Sequence, residues 1–192
     1  MSRPLRASDQ LLKRIGRHLK GRRRCVQKYA FDEKPEDIIV YSDSDWAGCK
    51  MTRKSTSGGV VVWGNHTLKS WSTVQNVVAL SSGEAELYAL LKGAVQLKHM
   101  IALAKDFGME LKGVVKTDST AAIGISHRSG LGGRTRHIQV QHLWVQGAVA
   151  NKEFKILKVA SAENFADIFT NATTFELLDR HLSAMGFVFL PN

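Results

Sequence analysis

Cysteine is scarce: Cys25 and Cys49 are the only two in 192 residues. A disulfide framework is therefore excluded, no zinc-ligand spacing is present, and a reducing compartment is expected. No apolar run approaches the roughly 18 residues that a membrane span needs. Residues 1–30 are basic but hold neither an apolar h-region nor a cleavage site, so they do not read as a secretory signal. Internal repeats and low-complexity tracts are absent as well. The length suits one domain with a short extra segment, large enough for one sizeable core.

What is present is unevenly charged. Lys and Arg total 27 against 17 Asp and Glu, and residues 1–30 hold ten of the bases with a single acid, Asp9. The rest of the chain is close to neutral. A basic block of this kind suits phosphate backbones.

Leu11, Leu12, Ile15 and Leu19 recur at helical spacing, which predicts a helix over 8–20 with Ser8 as its N-cap. Residues 31–37, with Pro35, read as a linker. The pattern then changes. Residues 38–42 are short, β-branched and apolar, and end at Asp43. Residues 58–63 make a second strand, Gly64-Asn65 a hairpin turn, and 67–73 a third strand. Ser81 and Glu84 have capping-box spacing before a long helix whose apolar face is Leu87, Leu90, Leu91, Ala94, Leu97 and Ile101, with Gly108 as its stop. Val114 and Val115 form a fourth strand ending at Asp118. A helix over 119–127, another around Ile138, Leu143, Trp144 and Ala148, a fifth strand over 154–159, and helices over 163–169 and 175–185 complete the chain. The order β-β-β-α-β-α-α-β-α predicts an α/β fold with a five-stranded mixed sheet: three antiparallel strands, then two joined by helical crossovers.

Four acids stand out by position. Asp43 and Asp118 end strands that this topology can set side by side. Glu86 lies in the first turns of the long helix, and Asp167 on the helix after the fifth strand. Carboxylates that converge repel one another, so such a site calls for cations. Oxygen ligands favour Mg²⁺ or Mn²⁺. Two such ions can activate water on one side of a phosphodiester and stabilise the leaving oxygen on the other. Asp45, two residues after Asp43, falls on the same face of an extended strand and remains a rival ligand. Glu84 is a rival to Glu86.

The flanks of these acids carry a family resemblance. Tyr41-Ser42-Asp43-Ser44-Asp45-Trp46-Ala47-Gly48, followed by Arg53-Lys54-Ser55-Thr56-Ser57-Gly58-Gly59, resembles the opening of the RNase H domain of copia-type LTR retrotransposon polyproteins. Residues 80–90 (Leu-Ser-Ser-Gly-Glu-Ala-Glu-Leu-Tyr-Ala-Leu), Thr117–Ile123, Arg134-Thr135-Arg136-His137-Ile138 and Asn164–Thr170 are similar to its later motifs. The match runs from about residue 38 to 171. It implies an RNase H-like fold and hydrolysis of the RNA strand of RNA/DNA hybrids. It also implies Asp43, Glu86, Asp118 and Asp167 as catalytic ligands of two Mg²⁺ or Mn²⁺ ions. Glu84 is then explained as a cap.

Under that resemblance the chain divides into a basic helical leader and linker (1–37), an RNase H-like domain (38–172) and a C-terminal helix and tail (173–192). Arg53, Lys54, Ser55 and Thr56 form one candidate phosphate-binding set, and Arg134, Arg136 and His137 a second. Trp63, Trp71 and Trp144 read as core residues. Helix 8–20 resembles the end of a reverse-transcriptase connection, which makes a reverse-transcriptase domain of the same polyprotein the expected partner. The compartment implied is the cytoplasm, inside retrotransposon particles, or the nucleus. No Tyr-x-Asp-Asp motif occurs, so the chain does not itself polymerise. There are departures from the pattern. Residues 159–163 lack the His that cellular RNase H enzymes carry there, Gln139 and Gln141 stand where charge is expected, and Asn171 replaces a Lys. The alternative reading is an inherited fold that binds nucleic acid as a scaffold without cutting it.

Overall fold

The computed structural model describes residues 6–22, 24–31, 34–130, 138 and 143–190. Helix α1 (Arg6–Gly21) and a short strand β1 (Arg24–Gln27) precede the main sheet. Strands β2 (Asp37–Ser44), β3 (Thr56–Trp63) and β4 (His66–Val74) form a meander, followed by α2 (Ser82–Asp106) and β5 (Lys112–Thr117). Then come α3 (Thr120–Ser126), α4 (Trp144–Ala150) and β6 (Lys155–Lys158). Two 3₁₀ turns, Ser161–Glu163 and Phe165–Phe169, lead to α5 (Phe175–Ala184) and β7 (Phe187–Leu190). The five-stranded sheet runs β4-β3-β2-β5-β6. Its first three strands are antiparallel, β5 lies parallel to β2, and β6 parallel to β5. This is the expected mixed sheet, with the strands bearing Asp43 and leading to Asp118 side by side.

Alternation along β2 builds both faces. Ile38 and Val40 enter the larger core beneath α2, and Tyr41 enters a smaller core on the opposite face. Leu87, Leu90 and Leu97 of α2 are wholly buried on the first face, each stabilising the fold by about 2 kcal/mol. Trp63, Trp71 and Trp144 pack partly buried against that core, as expected. The Ser81 hydroxyl accepts the Glu84 N–H at 3.2 Å and starts α2. Gly108, at φ +72°, stops it, with Gly108 N–H and Met109 N–H each donating at 2.9 Å to the carbonyls of Lys105 and Ala104.

Three local expectations change. Residues 163–169 form 3₁₀ turns and not an α-helix: the N–H groups of Asp167 and Thr170 donate three residues back, to the carbonyls of Asn164 and Asp167 at 3.1 and 3.2 Å, and Asn164 caps the second turn by accepting the Ala166 N–H. Helix α1 begins at Arg6, so Ser8 lies inside it. Strands β1 and β7 were not anticipated at all. They pair antiparallel, Arg24 opposite Leu190 and Gln27 opposite Phe187, in a separate two-stranded sheet. Arg22 fastens this pair. Its guanidinium lies 4.5 Å from the Phe175 ring centroid and 4.0 Å from that of Phe189, and bonds Asp179 at 2.6 Å.

Candidate active site

Three elements deliver three carboxylates to one end of the sheet. Asp43 is the penultimate residue of β2, Asp118 directly follows β5, and Glu86 projects from the second turn of α2. A carboxylate oxygen from each lies within 4.8 Å of the others. Among the described residues, no other group of three acids, histidines or cysteines comes together in this way.

The surroundings keep these groups near one another and poorly hydrated. Asp43 is 6% exposed. The Thr170 hydroxyl donates to its Oδ2. Burial pushes the Asp43 carboxyl up to about 6, against the Thr170 hydrogen bond and with help from the charges of Asp118 and Asp167. Glu86 is pushed up to about 8, first by burial and then by Asp43. Its Oε1 accepts the Ser44 N–H at 3.3 Å, the Ser44 side chain also acts on the carboxyl as a hydrogen-bonding neighbour, and Oε2 is buried with no partner at hydrogen-bond distance among the described residues. A buried acceptor without a donor is a vacancy in the bonding pattern that a cation satisfies.

Asp167 lies on the Phe165–Phe169 turn at the rim of this cluster. It is outside the three-carboxylate set, yet its charge acts on Asp43. Asn171 donates to its Oδ1 at 2.8 Å.

The rival acids have other partners. Asp45 follows the end of β2, so strand alternation no longer governs it, and its Oδ1 accepts the Thr56 N–H. Glu84 accepts the Leu80 N–H at 2.8 Å and the Tyr88 hydroxyl at 2.8 Å. Trp46 is half exposed, and its indole N–H donates to the Ala79 carbonyl at 3.2 Å.

The candidate phosphate-binding residues divide. Arg53 is exposed and Lys54 half-buried, on the loop after β2. Ser55 is a correction: it is wholly buried and its hydroxyl accepts the Ala47 N–H at 2.9 Å, so it fixes the loop and does not face a ligand. Thr56 opens β3, with its backbone N–H held by Asp45. Arg134, Arg136 and His137 lie outside the described residues.

Sequence reasoning missed three residues that build the site. Asn164, wholly buried, donates from Nδ2 to the Ser42 carbonyl at 3.1 Å and ties the Asp167 turn to β2. Its N-cap chemistry was a readable signal. Thr170 gave no such signal. Gly58 stands opposite Asp43 in the β2–β3 register, and a Cβ there would lie 2.7 Å from Thr170 Cγ2 and 2.9 Å from Phe169 Cβ. Its missing side chain is what lets the turn close over Asp43.

The strand order, the crossovers and the carboxylates at the sheet end define an RNase H-like fold. An RNase H1 called LC11, solved in complex with an RNA/DNA hybrid, superposes with a TM-score of 0.50 at 16% identity, over 76% of this chain and 99% of that one. Homologues of the chain include retrovirus-related Pol polyproteins of plant transposons. It is 34% identical to the Pol polyprotein of transposon TNT 1-94 from Nicotiana tabacum over 131 residues, 68% of this chain and 10% of that protein. It is 26% identical to that of transposon RE1 from Arabidopsis thaliana over 195 residues, all of this chain and 13% of that protein. The chain thus spans about a tenth of the length of these relatives. No family model matches the sequence.

Proposed function

We propose that this chain is the RNase H part of a copia-type retrotransposon polyprotein and cuts the RNA strand of RNA/DNA hybrids. The observation that carries the reading is the convergence of Asp43, Glu86 and Asp118 within 4.8 Å. The buried, unpaired Oε2 of Glu86 and the mutual repulsion of the acids fit hard divalent cations, Mg²⁺ or Mn²⁺. Asp43, Glu86 and Asp118 would hold them, with Asp167 completing the set for two ions. When bound, such a pair supplies an activated water and charge stabilisation for the leaving oxygen of a phosphodiester.

The chain's own residues prepare that chemistry. Thr170 fixes Oδ2 of Asp43, and Ser44 holds Glu86 through its backbone N–H, so the two carboxylates are oriented toward one another before any ligand arrives. Asn164 holds the Asp167 turn against β2. Arg53 and Lys54, with Arg134, Arg136 and His137, bind backbone phosphates in this reading, and the basic face of α1 extends the electrostatic footprint. A reverse-transcriptase domain of the same polyprotein is the partner, within retrotransposon particles.

The test is a cleavage assay on an RNA/DNA hybrid with Mg²⁺ or Mn²⁺, alongside Asp43→Asn and Asp118→Asn. Metal-dependent cutting of the RNA strand by the parent and its loss in both variants are expected. Binding of the hybrid without any cleavage by the parent would replace this reading with that of a scaffold.

A further inference from the structure

On the sheet face opposite α2, a cavity of about 410 Å³ opens between β2, β5, the 3₁₀ turns and α5. This volume lies in the range of small-molecule sites. Val159 and Phe165 supply apolar wall, and the Phe165 ring packs on Tyr41 at a tilt of 33°, centroids 4.6 Å apart. Polar groups stand among them. The Lys116 ammonium donates to the Tyr41 oxygen at 3.4 Å, which leaves the phenol proton available to a ligand. Arg180 lies at the mouth, one of its Nη atoms donating to the Ala162 carbonyl. His181 also lines the cavity. It is 1% exposed, and its Nε2 is buried with no hydrogen-bond partner among the described residues. Lys116 and Arg180 outnumber the single acid of the lining, Glu163.

An apolar wall, two cations and an unpaired buried ring nitrogen suit one kind of ligand: a small anion with a flat apolar body. The position matters too. Tyr41, Lys116 and Phe165 stand two residues before Asp43, Asp118 and Asp167. On β2 that spacing keeps Tyr41 on the face of Asp43, and Lys116 is the penultimate residue of β5, which Asp118 directly follows. On the turn it places Phe165 at the base of the segment carrying Asp167.

We propose that this cavity binds a small aromatic anion, and that its occupation displaces the turn bearing Asp167. The anionic group lies between Lys116 and Arg180, and the ring lies against Phe165 and Val159.

The probe is phenyl phosphate, titrated into the ¹⁵N-labelled full chain in a chelator-containing buffer, with benzyl alcohol as the neutral control. Without divalent ions the carboxylate cluster repels the anion and does not compete for it. Saturable shifts at Tyr41, Lys116 and His181, with a dissociation constant of about 1 mM or tighter, are expected, together with shifts of the amides from 165 to 170. Benzyl alcohol should bind at least about tenfold more weakly. Lys116→Met with Arg180→Met should weaken phenyl phosphate at least about tenfold while the melting curve stays in place, both side chains being at least partly exposed. Ala184→Phe, which fills the mouth, should abolish binding. No saturable shift, equal binding of the neutral control, undiminished binding by the double variant, or a footprint centred elsewhere would each overturn the site. Binding that leaves the 165–170 amides unmoved would overturn the coupling to Asp167. No metal or hybrid takes part, so the outcome is separate from that of the nuclease assay.

Discussion

The Thr170 hydroxyl donates to Asp43 Oδ2 across 127 positions of sequence, so the last site-forming turn holds the acid of β2 in place. Removing that donor while keeping the shape, as in Thr170→Val, should lower hybrid cleavage about 10–100-fold, the range typical of groups that orient a metal ligand. Thr170→Ser should retain most of the activity. Steady-state cleavage at fixed Mn²⁺, read with a melting curve for each variant, separates loss of positioning from loss of fold. Equal rates for Val and Ser would remove Thr170 from the site.

Gly58 is the space into which that turn fits. Gly58→Ala sets a methyl 2.7 Å from Thr170 Cγ2 and 3.1 Å from the Ala166 carbonyl. Overpacking of this kind costs about 1–3 kcal/mol. Urea denaturation should show the shift as a lower midpoint with an unchanged slope. A change below about 0.5 kcal/mol would mean the turn is not seated on β3.

Metal-free stability should fall as pH rises. Asp43 and Glu86 are held at about 6 and about 8, above the ordinary values of 3.8 and 4.5. The folded state therefore binds protons more tightly than the unfolded chain, and stability present below about pH 4 drains away up to about pH 8. Asp43→Asn and Glu86→Gln should each raise stability at pH 8 on the order of 2–4 kcal/mol in chelator. Neither should do so at pH 4, where the carboxyls are already neutral. Mg²⁺ or Mn²⁺ should stabilise the parent at pH 8 more than either variant. Melts over this window, with and without metal, check the sign; a stability that rises with pH would contradict it.

The rival carboxylates can be separated by isosteric changes. Glu84→Gln and Asp45→Asn should keep hybrid cleavage within a few-fold, since their carboxylates serve backbone N–H groups and the Tyr88 hydroxyl. Glu86→Gln and Asp43→Asn should lower it at least about a hundredfold, because each removes a charge that the metal set needs. The reverse ranking would reassign the ligands.

Much of the fold was legible because its signals are local. Ile38 to Ser42, Ser81 with Glu84, and Gly108 each announce an element through periodicity or capping, and the crossover rule then places β5 beside β2. The meeting of Asp43 with Asp118 follows from that adjacency. Thr170 and Gly58 were not legible, since a hydroxyl and a missing Cβ acquire meaning only when segments far apart in sequence touch. Strands β1 and β7 escaped for a related reason. Arg24-Cys25-Val26-Gln27 continues a basic run, and its pairing depends on a partner at the other end of the chain. Asp167 was placed on the right segment but on a 3₁₀ turn instead of an α-helix, and the bond from Asn164 to the Ser42 carbonyl that seats this turn on β2 spans 122 positions and leaves no local signal.

The clasp of Arg24 against Leu190 has an architectural result. Together with the Lys28 N–H, which donates to the Gly186 carbonyl at 2.8 Å, it ties off the intervening segment, the whole five-stranded sheet included, as one loop closed by backbone hydrogen bonds.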